Sequence, residues 1–125
     1  MDDSLKKQLC KDETGLTTYE YIANNIDTID DDLPELVANI INVDLNGQFV
    51  VSTARYLYAI DSERYAQSID ALVKAAIEKD REHKYLGDLI AGIYGADYKE
   101  HASELSRTDD NFRRIYKRLY PAKGI

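Results

Sequence analysis

The chain has 125 residues, one cysteine, ten tyrosines, no tryptophan and a formal net charge of −7. That length fits one domain able to bury a core unaided, and the charge disfavours a general nucleic-acid binder. Cys10 alone excludes an internal disulfide, no run reaches the roughly 20 apolar residues of a membrane span, and the charged opening MDDSLKKQLCKDE has no signal-peptide core, so a reducing cytoplasm is the expected setting.

Residues 1–15 read as a loosely ordered lead-in to a single helical domain covering 1–125. Thr17 and Glu20 have the spacing of a capping box, with Leu16 able to staple against Tyr21. The helix they open gathers Tyr19, Ile22, Ala23 and Ile26 on one face. Asp30, Asp31 and Asp32 form a solvated linker before the next N-terminus, where negative charge is favourable. Asp32 and Glu35 around Pro34 make a second capping pair, opening a helix with Leu36, Val37, Ile40 and Ile41.

NVDLNGQF, at 42–49, spaces its oxygen-bearing side chains like the start of a calcium loop. Such a loop must close with a bidentate carboxylate at its end. Counted from Asn42 that position is Thr53, and a register starting at Asp44 fails at Gln48 and Phe49. One carboxylate does not neutralise a divalent ion. The stretch is therefore expected to be a turn, with Gly47 bending the chain and Asp44 or Asn46 capping the following helix.

QFVVSTARYLYAI then carries Arg55 as its only charge, which predicts a buried central helix over 47–60. Asp61 and Ser62 cap the next helix, with Tyr65, Ile69, Leu72, Val73, Ala76 and Ile77 in register. A further stripe follows at Tyr85, Leu86, Leu89, Ile90, Ile93 and Tyr94, thinned by Gly87, Ala91 and Gly92 where a neighbouring backbone can approach. Asp97 and Glu100 begin a shorter helix, and Thr108 caps the last. No segment alternates as a half-buried strand does. The expected fold is all-α, a compact bundle or short stack of antiparallel helix hairpins.

A shift of 36 residues sets Leu36, Val37, Ile41, Asp44, Tyr58 and Asp61 on Leu72, Val73, Ile77, Asp80, Tyr94 and Asp97. Amphipathic helices share apolar positions by chance, but the two aspartates do not follow from periodicity. A two-copy repeat is the resulting expectation, with hairpins at 33–60 and 69–96 turning near Asp44 and Asp80.

Candidate chemistry is sparse. His83 and His101 lack the paired Glu-x-x-His pattern of a di-iron bundle, and neither a metal nor a cofactor is expected. Cys10 lies in the lead-in, away from a histidine, and reads as a small idle or buried thiol. No phosphate-binding glycine loop, GxSxG, HExxH or CxxC occurs, so an enzyme is not expected. Most tyrosines read as core-edge residues.

The sharpest feature is NFRRIYKRLYP. Phe112, Ile115, Tyr116, Leu119 and Tyr120 mark one side of a helix; Arg113, Arg114, Lys117 and Arg118 occupy the other. The segment 107–125 holds six basic residues against Asp109 and Asp110, so the remainder is more acidic than the whole. The plain reading is a docking helix with a solvated outer face. The functional one makes those four cations a partner contact. Small acidic helical chains without catalytic motifs act as adaptors or inhibitors, so the expected partner is another protein, with no membrane role. The alternative is a nucleic-acid accessory protein using the helix at 109–120, favoured if a basic groove continues to Arg107 and Lys123.

Overall fold

The apolar spacing closes into helices, with no strand among residues 1–121, which the computed structural model describes. In chain order they are α1 (Asp3–Cys10), α2 (Leu16–Asn24), α3 (Leu33–Val43), α4 (Gln48–Asp61), α5 (Ala66–Lys79) and α6 (Leu86–Tyr94). A 3-10 turn (Tyr98–His101) leads into α7 (Ala102–Thr108), and α8 (Asp110–Leu119) follows. No helix among the described residues is long and apolar enough to cross a membrane.

The helices lie in two rows. In one, α2 packs on α4 and α4 on α6; in the other, α1 meets α3, α3 meets α5 and α5 meets α8. Helix α4 touches both rows, and its Val50, Ala54 and Leu57 are fully buried. It is the central helix that its low charge predicts. The most extensive contact is between α4 and α5, joined by the short link 62–65. Helices α3 and α4, on either side of Asp44, touch far less, as do α5 and α6 around Asp80. The hairpin therefore closes at 62–65, and the aspartate turns carry the chain from one row into the other.

Those turns share one construction. Asp44 is almost fully buried, and its Oδ1 accepts from the Asn46 and Gly47 amides at 3.1 and 2.9 Å. Its Oδ2 accepts from the Phe49 and Val50 amides, both at 2.8 Å. Asp80 repeats this: Oδ1 accepts from Lys84 N, and Oδ2 from Tyr85 N and Leu86 N at 2.7 and 2.9 Å. Asp12 is a third instance. Its Oδ1 takes the Thr14 and Gly15 amides, and its Oδ2 both the amide and the hydroxyl of Thr18 at 2.8 Å. Burial pushes the Asp12 carboxyl up, but the bonds from Thr18, Gly15 and Thr14 outweigh it and hold it below its ordinary value. In each case one carboxylate, four or six residues before the first residue of the helix, covers amides that the helix itself leaves unpaired.

The third residue after each aspartate is left-handed: Gly15 (φ 101°), Gly47 (φ 91°) and His83 (φ 58°). The turns also stack. A Cβ on Gly15 would lie 3.2 Å from the Asp44 Cβ, and one on Gly47 would lie 3.4 Å from the Asp80 Cβ. Glycine suits both positions for its backbone, and at Gly15 also for the approach of the next turn, since 3.2 Å is tight for a Cβ. His83 is exposed, so its side chain has room.

Several helix starts differ from expectation. Thr17 and Glu20 are exposed, and α2 is capped through Thr18 and Asp12 instead of a capping box. Asp32 makes no side-chain cap; its carboxylate meets the Met1 ammonium at 3.1 Å, while Pro34 sits in the first turn as expected. Asp61 ends α4 and accepts from the Arg64 amide, and α5 starts only at Ala66. Thr108 bonds back to the Glu104 carbonyl, leaving the cap of α8 to Asp109, which accepts from Phe112 N at 3.1 Å. Residues 1–15, expected to be loosely ordered, contain α1, whose Leu9 is buried and whose end is tied by Asn39 Nδ2 to the Leu9 carbonyl. At Gly92 the close neighbour is the Arg55 side chain, not a backbone.

Two substitutions check this construction. Asp44→Asn keeps one acceptor but turns an NH2 toward backbone donors, and it should lower stability by about 2–3 kcal/mol in chemical denaturation. Leu57→Ala should cost about 2–5 kcal/mol by cavity formation. A loss under about 1 kcal/mol in either would mean that the site is not buried as described.

Candidate functional site

Two surfaces present chemistry. One is the outer side of α8, and the other is the edge formed by the stacked turns. Helix α8 docks through Phe112 and Ile115, both fully buried, with Tyr116 and Leu119 packed beside them. Phe112 stacks on Tyr116 at 5.5 Å between ring centroids and meets Tyr94 edge-on at 5.0 Å. The Tyr94 hydroxyl donates to Asp109 Oδ2 at 2.9 Å, which joins the α6 end to the α8 cap. Burial, then the Asp109 charge, pushes that phenol up. Tyr98 and Tyr120 share a hydroxyl–hydroxyl bond of 2.7 Å. Burial and that bond push Tyr98 up to about 12, while the bonds from Tyr98 and Lys99 lower Tyr120. The tyrosines thus fasten the C-terminal helix, as core-edge residues with polar tips do.

The four expected contact residues do not behave alike. Arg113 forms an ion pair with Asp110 on its own helix. Arg114, Lys117 and Arg118 form a stripe at i, i+3 and i+4, with Lys117 and Arg118 exposed and Arg114 half-buried. Among the described residues, none of these three takes part in an ion pair. Arg107 pairs with Glu104 on α7 at 3.4 Å, and Lys123 lies outside the described residues. The stripe leads elsewhere. Arg118 shares a cleft of about 360 Å³ with Glu78 and Arg81, at the end of α5.

That cleft brings the end of α8 beside the turn edge. A second cleft, of about 330 Å³, lies between the Asp44 and Asp80 turns, with Leu45 and Tyr85 as apolar walls and Lys79, Arg81 and Lys84 around them. Leu45 is 82% exposed, the most open of the large hydrophobic residues among those described. Sequence reasoning missed this region. The available signal was the recurrence of Asp-x-x-Gly at 12–15 and 44–47, which gives the stacking order of the turns.

The remaining titratable groups are engaged or exposed. Asp97, Glu100 and His101 gather within 4.8 Å around the 3-10 turn, all exposed, with His101 and Asp97 an i, i+4 pair. His83 stands apart on the Asp80 turn. Cys10 is exposed, not buried. Both carboxylate oxygens of Asp44 face backbone amides and are not free to ligate an ion. A cleft of about 280 Å³ beside Tyr58, Ile69, Val73 and Ile93 has Asp70 and Asp109 at its margin. Asp70 accepts from Lys74 and Asn111, and Asp109 from Tyr94 and Phe112 N. Comparisons with models of protein families, with curated proteins and with solved structures each found no match.

Docking and contact roles of α8 separate by mutation. Leu119→Ala should destabilise by about 1–4 kcal/mol through lost packing. Lys117→Glu with Arg118→Glu should change stability by no more than about 1 kcal/mol, since both side chains are exposed and exposed charges contribute little. Unfolding of the double reversal in a melting experiment would mean that the basic side is packed against the acidic body.

Proposed function

We propose that the chain is a non-catalytic protein-binding module, an adaptor or inhibitor working in the cytoplasm. In this reading it is a short stack of repeated units, each an aspartate-stapled turn followed by a helix pair. One observation carries it: three turns joined by two glycine-on-aspartate seats make one continuous edge, and that edge exposes Leu45 beside Tyr85. Leu45 does not stand alone, because with Tyr85 it walls a cleft of about 330 Å³, and a preorganised site of that kind reduces the entropy lost on association. Stacked helix-pair units use such extended edges for binding. The exposed Lys117 and Arg118 also suit the alternative, a nucleic-acid contact through 109–120, but the acidic body opposes a long polyanion.

Affinity capture from the native host, with wild type beside Leu45→Asp, tests the module reading. Leu45 is so exposed that its substitution should shift stability by no more than about 0.5 kcal/mol. A stoichiometric protein partner retained by wild type and lost with Leu45→Asp is the expected result. Retention of nucleic acid alone, or of no protein, would overturn the reading.

A further inference from the structure

On a chain of net charge −7, cations of two distant segments come together at one place. Lys79, Arg81 and Lys84 belong to the end of α5 and the Asp80 turn; Arg114, Lys117 and Arg118 belong to α8. The Glu78–Arg81–Arg118 cleft is where they meet. Only Lys84 has an ion-pair partner among the described residues, Glu82 at 2.9 Å, and both ends of that pair are well exposed. Such a pair contributes little and can exchange. Leu45 and Tyr85 lie at the other end of the strip, in the cleft that Arg81 and Lys84 share.

We propose that these six cations form one strip that docks an acidic segment of a partner protein, with an apolar side chain of that segment seated against Leu45 and Tyr85. The inference rests on the protein-binding reading and specifies the partner's chemistry. Charge complementarity selects the occupant. Opposite potentials steer association and reject wrong partners, and arginine clusters recognise carboxylate-rich segments through bidentate bonds. The exposed leucine argues for a peptide over a polynucleotide, because phosphate contacts offer it nothing. So does the size of the stripe on α8, which from Arg114 to Arg118 rises only about 6 Å along the helix. Non-specific duplex binding relies on many phosphate contacts spread along the backbone. Glu78 and Glu82 interrupt the strip, which a short segment can avoid and a uniform polyanion cannot.

The test is an amide chemical-shift titration of the full chain with a short peptide of Asp-Glu-Leu repeats, at low and near-physiological salt. A Lys-Lys-Leu peptide and a single-stranded oligonucleotide of equal charge serve as comparisons. Saturable shifts at Leu45–Asn46, at 79–85 and at 114–118 are expected with the acidic peptide alone. Arg81→Glu with Arg118→Glu should weaken binding by about tenfold or more, as losing complementary rim charges does. If that pair perturbs the fold, Arg81→Gln with Arg118→Gln should give a smaller loss in the same direction. Equal or tighter oligonucleotide binding, shifts confined to other surfaces, or no effect of either pair would overturn the proposal. A captured partner that depends on Leu45 but not on Arg81 and Arg118 would also overturn it, while leaving the module reading intact.

Discussion

A carboxylate buried without a cation is the constraint on which this fold is organised. Asp44 and Asp80 leave water almost completely, and their charge is satisfied by backbone amides. Burying a charge is costly unless hydrogen bonds replace its hydration, and charge-assisted bonds from preset N–H groups do this well. The amides in turn belong to helix starts that have no partner within the helix. Each need meets the other. Because the donors come from both the turn and the first helical residues, the bonding also fixes the angle at which the chain enters the next helix.

From that angle the two rows follow. Each staple sends the chain from the α3 and α5 row into the α4 and α6 row, and the apolar faces then have one way to close. The left-handed residue after each aspartate lets successive turns sit on one another. Rigidity at the edge is thus inherited from the core, although the edge itself is mostly solvent-facing. Helix α8 reaches the same region by different means. Its aromatic side is fixed by Phe112, Ile115 and the tyrosine hydroxyls, which leaves the basic side free to adjoin Arg81.

Much of the helical pattern was legible in the sequence because burial here follows amphipathic spacing: Leu57, Leu72 and Ile90 are buried where periodicity puts them. The helix starts were less legible. A capping box is a local signal at i and i+3, and Thr17 with Glu20 satisfies the spacing without making the bonds. The bonds that form run from Asp12 to Thr18, six residues on, beyond the reach of the local rule. The 36-residue shift drew attention to Asp44 and Asp80 but passed over Asp12, which lies 32 residues before Asp44. Of the proposed interaction surface, the α8 stripe was readable as a helical face. Its continuation to Arg81 and Lys84 was not, since only tertiary packing brings residues so distant in sequence together.

His83 has a consequence for how long such a chain can be. At Gly15 and Gly47 the position is covered by the next aspartate, and the left-handed backbone there favours glycine. At His83 it opens to solvent, so the imidazole closes the series physically. Growth by duplication of an internal turn and helix pair would conserve every seat, because each pair touches its neighbours along the row. Growth beyond His83 would first require a smaller side chain there.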